Sequence, residues 1–172
     1  MNLSIESPRD LIATLGYLCL GSRLKRLGER MQTSVAQHLG ARGHEVQPAQ
    51  LPLLWALQEH GGAMTIGALG ERLGISQPGV SRAIASLEGQ GLVRPTRAGK
   101  DRRQRQIAIS PAGEALMADL SARFFPAVQR AVEQLCLAAG PDLLARIDRI
   151  EDDLADAPLE ARIAAQLAKA DA

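Results

Sequence analysis

The stretch Thr65–Ser110, TIGALGERLGISQPGVSRAIASLEGQGLVRPTRAGKDRRQRQIAIS, decides the fold of this chain. Its first half predicts two short helices. Thr65 caps the first, and Ser76 caps the second, which runs to about Gln90. Gly74 lies between them and allows the chain to turn sharply. Two helices joined by a tight turn that contains glycine form a helix-turn-helix.

The second half of the stretch predicts a β-hairpin. Residues 92–94 and 106–109 have the composition of short strands, and the polar segment 95–105 is typical of a hairpin tip. Six basic residues lie in or beside this tip: Arg94, Arg97, Lys100, Arg102, Arg103 and Arg105. A β-hairpin directly after a helix-turn-helix is a wing. Cations at this density repel one another unless a polyanion such as DNA lies against them.

The net charge of +1 conceals an asymmetry. Thr65–Ser110 contains eight Lys or Arg residues and three Asp or Glu residues, whereas the remainder contains 12 basic and 16 acidic residues. A basic block within an otherwise acidic chain is the electrostatic footprint of a nucleic-acid site.

The second helix of a helix-turn-helix enters the major groove of duplex DNA, where Gln suits adenine, Arg suits guanine and Ser suits either a base or a phosphate. The predicted DNA contacts of this helix are Ser76, Gln77, Gly79, Ser81, Arg82 and Ser86. Those of the wing are Arg94, Arg97, Lys100, Asp101, Arg102, Arg103 and Arg105. The alternative is that the helix positions form an ordinary polar face exposed to solvent.

Outside this stretch the sequence predicts further helices. Apolar residues recur at spacings of three and four from Asp10 to about Ala41, which predicts one long amphipathic helix. Because Gly16, Gly21 and Gly28 lie inside it, the helix either bends at these glycines or packs closely against a neighbouring helix there. Helices are also expected from 47 to 60 and after Ser110, with a kink at Pro126. The expected fold is therefore mainly α with a small β-hairpin wing.

The predicted domain is a single one over residues 1–172. A winged helix-turn-helix head (46–110) would rest on a helical dimerisation platform (8–42 and 111–170). A single head contacts few base pairs, so we expect a homodimer that binds a pseudo-palindromic duplex. The last helix, 158–169, either wraps the partner or forms a loosely held tail.

Several classes of protein are not expected. No apolar run is long enough to span a membrane, and the first residues lack the pattern of a secretory signal, so we expect a cytoplasmic protein. No catalytic constellation or phosphate-cradling glycine loop is present, which argues against an enzyme. The histidines and cysteines lack metal-ligand spacing, and no cofactor is expected. A winged-helix module that binds protein instead of DNA remains an alternative, although such a wing needs no basic cluster.

Residues 46–116 resemble the MarR family of winged-helix transcription regulators. Three motifs carry the resemblance, in order: VQPAQLPLLWAL, TIGALGERLGISQPGVSRAIASLEGQGLV and KDRRQRQIAISPAGEAL. The resemblance implies that Arg103 reaches into the minor groove while Asp101 holds it in place. It also implies that Gln77, Ser81 and Arg82 read the major groove.

The same resemblance implies a repressor that releases DNA when a small aromatic or phenolic effector binds between the platform and the head. Tyr17 and Trp55 are the candidate ligand-binding residues, although the helical spacing of Trp55 from Leu51 favours a place in the core. Thiol-based redox sensing through Cys19 is the alternative within the same fold. The apolar neighbours of Cys19 favour an inert core cysteine.

Overall fold

The computed structural model of this chain describes residues 10–96 and 105–170. Two compact units are present, one ending at Ala122 and the other beginning at Arg123. Helices dominate, and the strands form one small antiparallel sheet, as predicted.

The first unit begins with a helix that is interrupted. Its parts are α1 (Leu11–Thr14), a 3-10 turn (Gly16–Cys19) and α2 (Leu20–Gly40). The predicted helix from Asp10 to about Ala41 is therefore not continuous, and of the two alternatives at its glycines a bend is found at Gly16. The break occurs because Gly16 has a φ of +56°, in the left-handed region that glycine enters without steric cost.

An ion pair connects the two sides of this break. Arg26 Nη1 and Nη2 donate hydrogen bonds to the Asp10 carboxylate at 3.1 and 2.5 Å. The hydrogen bond from Arg26 holds the pKa of Asp10 below its ordinary value. Any stability that the pair contributes is therefore present above the ordinary pKa of Asp10 and is lost as the pH falls through the lowered one.

The elements that follow are a 3-10 turn (Pro48–Gln50), α3 (Leu51–His60), α4 (Ile66–Leu73) and α5 (Gln77–Gly89). The last two, α4 and α5, form the predicted helix-turn-helix. The Thr65 hydroxyl caps α4 by accepting a hydrogen bond from the Ala68 amide at 3.1 Å. Gly74 has a φ of +63° and closes the turn between α4 and α5. Both residues act as the sequence predicts.

The sheet has the strand order β1-β3-β2, with β1 (Met64–Thr65), β2 (Val93–Thr96) and β3 (Gln106–Ile109). The first hairpin strand extends beyond its predicted end at residue 94 and includes Pro95, which pairs with Ile107. This is possible because β2 is an edge strand, where a missing amide hydrogen costs no ladder bond on the open side. Sequence reasoning missed β1, since two residues carry no periodic signal.

The core of the first unit lies between α3, α4, α5 and the sheet. The predicted inward positions of α5, Val80, Ile84 and Leu87, are all buried. The side chains that are almost fully buried around them are Leu39, Leu53, Leu54, Leu57, Leu69, Ile107, Met117 and Leu120. This burial fixes which face of α5 remains exposed.

Trp55 does not belong to this core, and the prediction that favoured a core position is wrong. It is 49 % exposed, although its neighbours Leu54 and Ala56 are buried. A helix can bury only one stripe of its surface. In α3 that stripe passes through Leu53 and Leu57, which leaves Trp55 at its edge.

The joint between the wing and the next helix is tightly packed. Helix α6 (Pro111–Asp119) begins at its predicted cap, Ser110, whose hydroxyl accepts a hydrogen bond from the Gly113 amide at 3.0 Å. The same hydroxyl donates to the Gly91 carbonyl at 2.6 Å, and the Ser110 amide donates to the Leu92 carbonyl at 3.0 Å. The start of α6 is therefore bound to the backbone that connects α5 to β2.

A π-helical stretch (Leu120–Phe124) follows α6, and the second unit contains α7 (Phe125–Leu137), α8 (Leu143–Asp156) and α9 (Leu159–Ala170). The predicted irregularity near Pro126 takes the form of this π stretch, with the proline in the first turn of α7. Arg162 joins α8 to α9 by donating to the carbonyls of Asp153 and Ala157.

Replacing Gly70 by alanine is expected to lower the free energy of unfolding by about 1–3 kcal/mol, the usual cost of overpacking. A Cβ there would lie 2.8 Å from the Ile75 carbonyl oxygen, within the turn between α4 and α5. Urea unfolding would measure the loss. Gly67→Ala in the same helix is the control, because its Cβ would make only ordinary contact, 3.6 Å from Gln77. Equal stabilities for the two variants would contradict this account of the turn.

Candidate nucleic-acid interface

Helix α5 presents a polar face opposite its buried stripe. Gln77, Ser81, Arg82 and Ser86 are exposed on this face. Because Val80, Ile84 and Leu87 hold the opposite side in the core, this orientation is fixed. An exposed Gln, Ser and Arg near the amino-terminal end of such a helix can bond base edges in a major groove.

The beginning of α5 differs in detail from the prediction. Ser76 occupies the N-cap position, but its side chain makes no capping hydrogen bond. A Cβ on Gly79 would lie 3.1 Å from Ile75 Cγ2 and 3.3 Å from Ser76 Oγ. Gly79 therefore relieves crowding within its own turn, in addition to the close approach to DNA that the sequence suggested.

Two of the polar residues on α5 have neighbours inside the head. Gln77 Nε2 lies over the start of α4, 3.6 Å from the position of a Cβ on Gly67. Gln90 Nε2 donates a hydrogen bond to Ser86 Oγ at 3.2 Å. Gln77 therefore lies beside α4, Ser86 is hydrogen-bonded to Gln90, and both Gln77 and Ser86 remain exposed.

The base of the wing contributes Arg94 and Arg105, which are both exposed. Arg94 lies on β2 opposite Ala108, next to the buried Val93, so its side chain is on the outer face. The other predicted wing contacts lie outside the described residues: Arg97, Lys100, Asp101, Arg102 and Arg103.

Arg105 has a partner that sequence reasoning missed. Its Nη2 donates to both carboxylate oxygens of Glu88, at 2.6 and 2.5 Å. The Glu88 side chain is only 21 % exposed, whereas that of Arg105 is 56 % exposed. The pair joins the last turn of α5 to the residue that directly precedes β3. A separation of 17 residues gives no periodic signal, so the pairing could be found only from the tertiary structure.

The candidate ligand-binding residues lie at the surface. Tyr17 is 93 % exposed in the 3-10 turn between α1 and α2, and Trp55 is 49 % exposed. Neither lines either of two surface grooves found among the described residues. One groove lies on α2 and is lined by Leu20, Arg23, Leu24, Arg26, Leu27 and Arg30. The other lies beside the end of α5 and is lined by Gly43, His44, Glu45, Val46, Gln90, Leu92 and Leu116.

The two cysteines are free thiols, and both are partly exposed. The expectation that Cys19 is a core residue is therefore wrong, because it lies in the 3-10 turn after the break at Gly16. Thiol-based sensing stays a prediction. Within residues 10–96 and 105–170, no group of His, Cys, Asp and Glu side chains has the arrangement of a metal site. No helix in these two ranges is long and apolar enough to cross a membrane.

Solved structures share this fold. A mutant of MarR from E. coli, complexed with operator DNA, is 15 % identical, has a TM-score of 0.65, and matches 84 % of this chain and 98 % of its own. MepR from S. aureus, in a DNA complex, is 21 % identical, has a TM-score of 0.62, and matches 78 % of this chain and 96 % of its own. The transcriptional regulator BldR from Sulfolobus solfataricus is 21 % identical, has a TM-score of 0.61, and matches 79 % of this chain and 94 % of its own.

None of the curated proteins matches this chain. The model of the MarR family matches residues 44–104, which span the helix-turn-helix and most of the wing. Because the solved structures are at most 21 % identical to this chain, they show only that the fold is shared. The family model shows in addition that the sequence of the head is similar to that of the MarR family. Residues 44–104 therefore match the MarR family of winged-helix transcription regulators in sequence, and the chain is similar in fold to solved structures of such regulators.

Proposed function

We propose that this protein is a sequence-specific regulator that binds double-stranded DNA. Helix α5 enters the major groove and the wing contacts the neighbouring minor groove. The observation that carries the proposal is the exposed polar face of α5, with Gln77, Ser81 and Arg82, held by the buried Val80 and Ile84 on the opposite side. Such a face can read base edges because its orientation is set before DNA arrives.

The charge distribution supports the same function. The basic residues of the wing and of α5 lie in one continuous segment, while the rest of the chain is acidic. Phosphate contacts made from within this segment release condensed counterions, so binding should weaken steeply as salt is added. Because the rest of the chain is acidic, DNA should bind less well to any other surface of the protein.

We further propose that the protein acts as a homodimer on a pseudo-palindromic duplex. Large apolar side chains are exposed on α2, including Leu24 and Leu27, and on α8 and α9, including Ile150 and Ile163. Exposed apolar side chains of this size, present in each unit, are characteristic of protein interfaces. A second copy that covers them would also supply the second head that a two-fold operator needs.

The sign of regulation, the compartment and the effector are proposed from the resemblance to the MarR family. We propose that DNA occupancy represses transcription in the cytoplasm, and that a small aromatic or phenolic effector releases the DNA. The effector must prefer a spacing of the two heads that the operator does not accept. Tyr17 and Trp55 remain its proposed contacts.

Hydroxyl-radical footprinting on duplex DNA from upstream of the coding sequence tests this proposal. We expect two protected regions separated by about one helical turn, roughly 10 base pairs between centres. Arg103→Ala should weaken binding about tenfold because it removes an arginine from the wing. Sedimentation should show the same dimer for this variant and the wild type.

The control for Arg103→Ala is Lys25→Ala, which removes the same charge from an exposed position on α2. It should leave the footprint unchanged. A footprint that persists at full affinity in Arg103→Ala would show that the wing does not contact DNA. Absence of any protected region with the wild type would overturn the proposed function.

A further inference from the structure

Glu88 is an unusual residue for its position. It lies next to the last residue of α5, where the carbonyl end of the helix carries partial negative charge. A carboxylate there is unfavourable for the helix dipole, and its side chain is largely removed from solvent. Both costs require a cation close by, which Arg105 provides at 2.5 Å.

The geometry of the pair fixes one part of the head against another. Arg105 directly precedes Gln106, which pairs with Thr96 across the wing and with Thr65 on β1. Arg105 therefore marks the point at which the wing returns to the sheet. Its bond to Glu88 connects that point to the end of the groove-reading helix.

The pair also changes what Arg105 can do for DNA. A guanidinium whose Nη2 is bonded to both oxygens of a carboxylate carries little net charge to a phosphate. A phosphate that approached Nη2 would have to break this bond and leave a mostly buried carboxylate without its cation, and one that approached Nη1 or Nε would meet a guanidinium whose charge Glu88 already balances. Arg94 differs, because the structure records no ion pair for it within residues 10–96 and 105–170.

We propose that Glu88 and Arg105 form a positioning pair, in which Arg105 sets the angle of the wing relative to α5 and is not itself a phosphate contact. This inference rests on the proposed DNA binding. It predicts that the pair controls sequence discrimination, since the wing and α5 must engage adjacent grooves at the same time. The Glu88–Arg105 pair contributes nothing to counterion release, because neither residue contacts a phosphate.

The test compares Glu88→Gln, Arg105→Gln and the double variant with the wild type. Each is titrated against the footprinted duplex and a shuffled duplex over a range of salt. We expect each single variant to lower the ratio of specific to non-specific affinity by about fivefold, and the double variant to lower it no further, as for two residues that act as a unit. The salt slope of Arg105→Gln should equal that of the wild type.

Two controls accompany these variants. Arg94→Gln removes an exposed wing arginine that forms no ion pair with the described part of the chain, so it should weaken binding to both duplexes alike and reduce the salt slope by about 0.9. Glu59→Gln disrupts another 2.5 Å ion pair, with Arg72, and should leave the ratio unchanged. Thermal unfolding of every variant identifies any loss that arises from stability alone.

The results separate the two proposals. If Arg105→Gln weakens both duplexes equally and reduces the slope by about 0.9, Arg105 is a phosphate contact and the positioning role is wrong. An unchanged affinity ratio in Glu88→Gln would also overturn that role. If the wild type binds the two duplexes with equal affinity, the proposed sequence-specific DNA binding is wrong, and the positioning role, which rests on it, is wrong as well.

Discussion

Gly113→Ala is expected to lower the free energy of unfolding by about 3 kcal/mol, at the upper end of the range for overpacking. A Cβ on Gly113 would overlap the carbonyl oxygen of Leu92 and would lie 2.8 Å from Ile109 Cγ1. The carbonyl belongs to the backbone between α5 and the wing, so it cannot move without shifting one of them. Chemical unfolding monitored by circular dichroism would measure the loss.

Gly89→Ala is the matched control for Gly113→Ala. Gly89 is also helical, and a Cβ there would meet nothing within 4 Å. Alanine at this position should therefore be neutral or should stabilise the fold by up to about 1 kcal/mol. If Gly113→Ala were as stable as the wild type, the close approach of α6 to the α5–wing connection would be contradicted.

Arg82→Ala is expected to have the largest effect on DNA binding among the described residues. Arg82 is exposed on the polar face of α5, which we propose reads the major groove, and a bidentate contact to guanine discriminates against a wrong base by about 1–3 kcal/mol. We therefore expect specific affinity to fall by about tenfold to a hundredfold. Non-specific affinity should fall much less, because the remaining basic residues still bind phosphates.

The control for Arg82→Ala is Arg72→Ala. Arg72 lies at the end of α4 and is bonded to Glu59 at 2.5 Å, so its charge is already balanced within the protein. Its removal should change specific affinity less than threefold, in line with the small contribution of an exposed ion pair. If Arg72→Ala and Arg82→Ala weaken binding equally, α5 has no special role in base reading.

The helix-turn-helix was the part of the fold that the sequence predicted best. Its signals are local: Thr65 caps a helix, Gly74 permits a left-handed turn, and Val80, Ile84 and Leu87 repeat at helical spacing. Each signal involves residues within a few positions of one another. Local chemistry therefore determined both the elements and the buried face of α5.

Features that depend on distant parts of the chain were not predictable in the same way. Glu88 and Arg105 are far apart in sequence, and only the folded sheet brings them together. Strand β1 exists because Met64 and Thr65 meet Ile107 and Gln106 across the sheet. Neither feature has a local pattern that identifies it.

Two errors came from patterns that fitted more than one structure. The apolar spacing in the first helix continues through Gly16, but the positive φ of this residue interrupts the helix. The spacing of Trp55 from Leu51 is consistent with a shared buried face, yet α3 buries a stripe that leaves Trp55 half exposed. In both cases periodicity described a possible helix face and did not determine whether other residues would cover it.

The most direct test of the central claim is a titration of the full-length wild-type and Arg82→Ala proteins with the footprinted duplex and with a shuffled duplex of the same composition. Fluorescence anisotropy at physiological salt would give both affinities. The wild type should prefer the footprinted duplex by about a thousandfold or more, and Arg82→Ala should lose about tenfold to a hundredfold of this preference. Equal affinity of the wild type for the two duplexes, or an unchanged preference in Arg82→Ala, would contradict the claim that α5 reads DNA sequence.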